Sequence, residues 1–221
     1  MAKRRGRIVV AAGTNGAGKS CLAGELIAAN GGAYFNPDLH ARKLVASGLP
    51  QEVANGMAWK AGYGGLRRAI ARHEDFAFET TLGGRSIVEE LHRAIEAGLD
   101  VCIWYVGLAT PGLHIARVRA RVAGGGHNIP TAKIRERYPK SLANLVSLIG
   151  KAAEVHVFDN STESPDGAPA AQLVFRLQRT KRLEPDLHTL LTCSPEWARP
   201  LVAAAVRAST PMRRGRAKKR D

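Results

Sequence analysis

Eight residues near the amino end constrain this 221-residue chain more than anything else in it: Gly13-Thr14-Asn15-Gly16-Ala17-Gly18-Lys19-Ser20. They satisfy the pattern G-x-x-x-x-G-K-[ST] in full. The flanks agree with it. Arg7 to Ala12 (RIVVAA) is a β-branched apolar run that reads as a buried strand, and Lys19 to Ala29 is apolar and helix-prone. A strand, a glycine loop and a helix in that order make an anion cradle. Backbone N–H groups turn inward, the helix N-terminus adds partial positive charge, and glycine accepts the φ > 0 angles the loop needs. Residues 13–20 are therefore expected to hold a nucleoside triphosphate. Lys19 would neutralise its β- and γ-phosphates, and the Ser20 hydroxyl would hold Mg²⁺.

The rest of the chain alternates between the two periodicities. Strands are expected at Ala33–Asn36, Phe76–Glu79, Asp100–Leu108, Val155–Asp159 and Gln172–Gln178. Helices are expected over 38–47, over 51–73 with an interruption at its glycines, over 85–97 and over 111–123. Two more follow: one from Thr131 to about Glu154, bent near Pro139, and a terminal one over 194–208 capped by Ser194. The strands are short, apolar and not strictly alternating. The expected class is α/β, a P-loop NTPase fold with a mostly parallel sheet and helices on both faces. Ligands of such sheets bind at the carboxyl ends of the strands. The expected organisation is a basic tail over 1–6, one domain over 7–208 and a second basic tail over 209–221.

Composition sets the boundaries of the functional reading. The formal charge is +14. Lys3, Arg4, Arg5 and Arg7 supply +4 of it and residues 213–221 supply +5, which leaves only +5 on the body. Such ends attract polyanions without sequence preference, and they are read as solvated tails that permit non-specific polyanion contact. Cys21, Cys102 and Cys193 form no CxxC pair, which excludes a zinc knuckle or a redox motif. No apolar run reaches the about 20 residues that a membrane span needs. The chain reads as reduced and cytoplasmic, with no membrane partner.

Three groups of side chains are candidates for chemistry. Asp38, in Asn36-Pro37-Asp38, can take the proton of an acceptor hydroxyl or can cap a helix. Glu79, Thr81 and Arg85 follow the third strand. Glu79 can serve Mg²⁺ through water or an acceptor hydroxyl, Thr81 can donate to the acceptor, and Arg85 can meet an anionic acceptor. Arg117, Arg119 and Arg121 precede the glycines 124–126, and Arg135 and Arg137 follow them. This is the composition of an arginine-bearing lid over transferring phosphate. Residues 117 and 121 share a helix face, so Arg117 and Arg121 are preferred, with Arg137 the weaker choice of the second pair and His127 a hinge hydrogen-bonder or a ligand. No N-K-x-D element is present, which argues against a switch GTPase. A small-molecule kinase is the better reading.

On these residues the chain resembles the zeta-toxin family of P-loop kinases. The resemblance rests on Gly13–Ser20, Asn36-Pro37-Asp38 and Phe76-Ala77-Phe78-Glu79-Thr80-Thr81-Leu82 with Gly84-Arg85. It also takes in Tyr105-Val106-Gly107-Leu108, Gly125-Gly126-His127-Asn128-Ile129-Pro130 leading to Ile134–Tyr138, and Asn144-Leu145, and so covers roughly residues 7 to 161. It implies ATP-dependent phosphorylation of a sugar hydroxyl on UDP-N-acetylglucosamine. Asp38 then matches the general base, Glu79 and Thr81 acceptor-side residues, and Arg117 or Arg121 the arginines on the γ-phosphate. The family's toxins are restrained by a helical antitoxin, which here would be a separate chain. Two alternatives stand beside this reading: a kinase of another metabolite or nucleotide, and a nucleic-acid-associated NTPase that uses the basic ends.

Overall fold

The computed structural model describes residues 5–20, 34–162 and 170–210. The expected helix beyond Ser20, most of both basic tails and Cys21 lie outside the described residues. Strands β1 (Arg7–Ala12), β2 (Tyr34–Phe35), β3 (Phe76–Thr80), β4 (Asp100–Gly107), β5 (Glu154–Asp159), β6 (Gln172–Gln178) and β7 (Leu183–Glu184) form one sheet in the order β2-β3-β1-β4-β5-β6-β7. The first five run parallel; β6 and β7 pair antiparallel at one edge. The sheet is thus mostly parallel, and helices pack on both of its sides. They are α1 (Pro37–Ala46), α2 (Gln51–Arg72), α3 (Arg85–Glu96), α4 (Pro111–Ala123), α5 (Thr131–Leu148), α6 (Leu187–Cys193) and α7 (Arg199–Ser209).

The main core follows from the period-2 pleat. Ile8, Val10 and Ala12 of β1, Phe78 of β3, Val101, Ile103 and Tyr105 of β4, and Val155 and Val157 of β5 face the same side. There they meet Leu66, Leu91, Leu145 and Leu201 from four helices, each fully buried. Truncating one of these leucines to alanine costs about 2–5 kcal/mol. The alternate residues Val9, Ala11, Ala77 and Trp104 make a smaller cluster on the other face.

Three local expectations are corrected. Helix α2 runs through its glycines without a break, because Gly62 and Gly65 sit under the Phe35 and Phe76 rings, where an added Cβ would lie 2.6 and 2.9 Å from a ring carbon. Helix α5 stops at Leu148, and β5 already begins at Glu154. The terminal helix does not start at Ser194: a 3₁₀ turn spans Glu196–Ala198 and α7 begins at Arg199, with α6 and β7 before it where no element was expected.

Helix α5 is fastened to the ends of the central strands. Ser141 Oγ donates to the Thr81 carbonyl at 2.7 Å and lies 3.0 Å from the buried Tyr105 hydroxyl. Asn144 Nδ2 donates to the Leu82 carbonyl at 2.7 Å, and the Tyr138 hydroxyl reaches the Leu108 carbonyl at 3.1 Å. Of the expected lid, the half after the hinge is therefore anchored to the sheet.

Candidate active site

The glycine loop leaves β1 at the carboxyl edge of the sheet, where β3 and β4 flank it. The loop is shaped from outside by side chains that come from far along the chain. His114 Nδ1 lies 2.9 Å from the Asn15 carbonyl, and Asn160 Nδ2 donates to the Ala17 carbonyl at 2.9 Å. In a trans peptide the C=O and the next N–H point in opposite directions. Tying these two carbonyls outward therefore turns the Gly16 and Gly18 N–H groups inward. Arg137 Nη1 donates to Asn15 Oδ1 at 2.8 Å, so the same asparagine is gripped by α4 and by α5.

His114 is 1% exposed. Burial is the main force on its titration and pushes its pKa down to about 4, helped by the nearby Lys19 and Arg117 charges. The ring is neutral at physiological pH. Because Nδ1 faces a carbonyl, Nδ1 carries the proton and Nε2 is a buried lone pair with no partner among the described residues.

Glu79 gathers the phosphate end of the site. It lies beside Ala11 in the β1–β3 register. Its Oε2 accepts from Ser20 Oγ at 3.0 Å, Tyr34 OH at 2.7 Å and Asn36 Nδ2 at 2.8 Å, and its Oε1 lies 3.5 Å from Lys19 Nζ. Burial first, and then the Glu79 charge, hold the Tyr34 hydroxyl well above the ordinary tyrosine range, so it remains a donor. The buried Glu79 carboxylate and the Ser20 hydroxyl are hard oxygen donors that suit Mg²⁺, with the Lys19 ammonium beside them as a counter-charge.

Asp38 does not cap α1; Asn36 does, its Oδ1 accepting from the Leu39 N–H at 3.0 Å. Asp38 sits in the first turn and lines a cleft of 460 Å³ together with Asn15, Lys19, Glu79, Thr81 and Arg137. Thr81 borders that cleft, its Oγ1 accepting from the Gly83 N–H at 3.4 Å. Arg85 is not brought there: its side chain is 90% exposed and pairs with Glu89 at 3.7 Å.

The two preferred arginines part company. Arg121 Nη2 donates to the His127 carbonyl at 3.0 Å and braces the glycine hinge. Arg117 keeps a buried Nη1, and Arg121 a buried Nε, with no acceptor among the described residues. Arg119 and Arg135 are exposed, whereas Arg137, the weaker choice, reaches the loop itself. Sequence reasoning gave no role to Tyr34, Asn36, His114 or Asn160. Only Asn36 carried a signal, its place before Pro37 and Asp38.

Comparison with solved structures places the fold. The chain is similar to the AvrRxo1-ORF1:AvrRxo1-ORF2 complex with sulphate ions, with a TM-score of 0.58 and 15% identity over 88% of this chain and 65% of that one. The same complex with ATP aligns with a TM-score of 0.53 and 16% identity over the same shares. The PezAT chromosomal toxin-antitoxin system of Streptococcus pneumoniae aligns with a TM-score of 0.50 and 13% identity over 94% of this chain and 85% of that one. These likenesses bear on the fold alone, a mostly parallel sheet with helices on both sides. Among the described residues, no helix is long and apolar enough to cross a membrane. No protein-family model matches the chain. An uncharacterised protein of Haemophilus influenzae is 32% identical over 133 residues, which span 57% of this chain and 88% of that relative. On that coverage, this chain belongs to the same family as the Haemophilus influenzae protein.

Proposed function

We propose that the chain is an ATP-dependent phosphotransferase of the zeta-toxin type, which passes a phosphoryl group to a sugar hydroxyl of UDP-N-acetylglucosamine. One observation carries the reading: a complete phosphate loop whose Lys19 and Ser20 meet Glu79 at the base of a cleft that also holds an uncapped carboxylate, Asp38.

The chain's own groups divide the work. Residues 13–20 hold the phosphates through backbone N–H groups, and Lys19 balances their charge. Asp38 accepts the proton of the acceptor hydroxyl as its oxygen closes on phosphorus. Thr81 stands at the acceptor side of the cleft. Arg117, with a buried donor that has no acceptor among the described residues, suits the charge that develops on the transferring group. Ser20 and Glu79 would hold Mg²⁺, which would supply positive charge against the phosphates. A separate antitoxin chain is proposed as a partner on the strength of the resemblance. The AvrRxo1 and PezAT likenesses support it only through their fold.

The test is radiolabelled phosphate transfer from ATP to UDP-N-acetylglucosamine by the wild type, Lys19→Ala and Asp38→Ala. The expected result is transfer by the wild type, none by Lys19→Ala, and a loss of about 10²–10⁴-fold in kcat for Asp38→Ala. Wild-type rates in Asp38→Ala would overturn the base assignment. Transfer to another metabolite but not to the nucleotide sugar would overturn the acceptor.

A further inference from the structure

The phosphate loop occupies the carboxyl edge of the sheet, and the opposite edge takes no part in it. The four longer parallel strands start at that opposite edge, at Arg7, Phe76, Asp100 and Glu154. The length of β1 sets the two edges about 20 Å apart at about 3.3 Å per residue. Direct contacts bring residues from both ends of the chain to this amino edge. The Asp100 N–H donates to the Gly6 carbonyl at 2.9 Å, and Asp100 Oδ1 pairs with Arg179 Nη2 at 2.7 Å. The Arg179 N–H donates to the Ala153 carbonyl at 2.7 Å. Close by, Lys181 Nζ donates to the Gly150 carbonyl at 3.3 Å, and a Cβ added to Gly150 would lie 2.6 Å from Ala208 Cβ. Arg5 and the end of α7 therefore share one surface.

Charge on this surface is lopsided. Its acids are mostly matched within the fold. Asp100 meets Arg179, Glu154 meets Arg176 at 2.6 Å, Glu184 meets Arg182 at 2.6 Å and Glu74 lies 3.8 Å from Arg72. Asp75 accepts from the Arg7 N–H at 2.9 Å, and Glu96 is the exposed acid left over. Arg5, Lys151, Lys181 and Arg207, by contrast, are exposed and pair with no acid among the described residues. The sequence adds to them on both sides. Lys3 and Arg4 precede Arg5, and residues 211–221 carry six bases against Asp221. Unmatched bases fixed beside the attachment points of two basic segments make one positive field rather than scattered surface charges.

We infer that this amino edge is a second binding surface, which holds the phosphate backbone of a nucleic-acid duplex without reading its sequence and leaves the nucleotide cleft open. The inference goes beyond the phosphotransferase reading and does not rest on it. Three observations favour a duplex. Four of the six bases in 211–221 are arginines, whose planar forks match phosphate oxygens. Residues 1–6 and 211–221 contain no aromatic side chain, so they offer no stacking platform for splayed single-stranded bases. A membrane surface would call for apolar side chains beside the bases. The exposed large apolar residues lie elsewhere, on α1, on α6, on the first half of α2 and at Leu173, the far end of β6.

The full-length chain is titrated by fluorescence anisotropy with a labelled, mixed-sequence DNA duplex between about 50 and about 200 mM salt. Each phosphate neutralised contributes about −0.9 to the slope of log K against log salt. Combined Arg213→Gln, Arg214→Gln, Arg216→Gln, Lys218→Gln, Lys219→Gln and Arg220→Gln is expected to flatten the slope by about 5. Combined Lys151→Ala, Lys181→Ala and Arg207→Ala is expected to flatten it by about 3. Arg119→Ala with Arg135→Ala, two exposed arginines of α4 and α5, is the control and is expected to leave it unchanged. No binding of the duplex by the wild type would overturn the surface. So would a wild-type slope in either charge variant, or an equal flattening in the control. Vesicles of phosphatidylserine and phosphatidylcholine are titrated in parallel, and binding to them but not to the duplex would overturn the nucleic-acid assignment. ATP affinity is expected to stay at the wild-type value in all three variants, because none of the substituted residues lines the cleft, and a shared loss would overturn the separation of the two edges. The slope is measured without ATP, so failure of the phosphotransferase reading leaves this result standing.

Discussion

His114 should make this protein acid-sensitive in a way that one substitution removes. Its pKa in the fold is about 4, against about 6.5 for an exposed histidine. The folded state therefore binds this proton less readily than the unfolded chain does. Above about pH 6.5 both states are unprotonated and the group has no effect on the balance. As pH falls below 6.5 the unfolded chain takes up the proton and the fold does not, so stability drops until about pH 4. Below that, both are protonated and the loss levels off. Each pH unit in that window is worth about 1.36 kcal/mol, which gives a loss of about 3 kcal/mol by pH 4.

His114→Asn is the informative variant. The asparagine amide can reproduce the Nδ1 donor to the Asn15 carbonyl, and it does not titrate. Urea unfolding at pH 7.0 and pH 4.5 is measured for both proteins, and the pH-dependent change in stability is compared. All other groups cancel in that difference. The wild type is expected to lose about 2–3 kcal/mol more than the variant between the two values. Parallel losses would refute the argument, because they would mean that the imidazole is protonated in the fold with little penalty.

Two further outcomes separate roles that the geometry already separates. Arg117→Ala removes a charged donor that has no acceptor among the described residues, so kcat is expected to fall by about 10³-fold or more while urea stability holds or rises by about 1 kcal/mol. Arg121→Ala removes the brace on the His127 carbonyl, so its stability is expected to drop by about 1 kcal/mol, and equal effects of the two substitutions would contradict this division. Gly13→Ala places a Cβ 2.1 Å from the Val106 carbonyl oxygen at a φ of +141°, so a loss of at least about 2 kcal/mol on urea unfolding is expected, and a wild-type midpoint would refute the strain.

The phosphate loop was legible in the sequence because its requirements are local. Gly13, Gly16 and Gly18 all adopt positive φ, and Lys19 and Ser20 must follow at once where the loop turns into a helix. The five parallel strands were legible for a related reason: each is a short apolar run that only a sheet covered on both faces can bury. What escaped depends on partners distant in sequence. The glycines of α2 suggest a break until the Phe35 and Phe76 rings occupy the space above Gly62 and Gly65. Trp59 and Tyr63 come to line the cleft with Thr80 and Thr81 only once α2 has packed against the sheet.

The same distinction explains why the motif is not yet the site. Glycines let the loop adopt its curve, but permission is not preference, since glycine also multiplies the conformations open to the unfolded loop. The preference comes from His114, which lies 99 residues from Asn15, and from Asn160, which lies 143 residues from Ala17. Both bonds use short, uncharged donors, and neither donor competes for the phosphate. Both residues are almost fully buried, so the bonds are shielded from water. A charged donor in either place would have attracted the ligand itself or required a counter-ion. Neutral side chains orient the peptides and leave the positive field to Lys19, Arg117 and Arg137. On this argument, the low pKa of His114 belongs to the design of the loop, because a protonated imidazole there would set a second cation against Lys19 and Arg117 before any phosphate arrived.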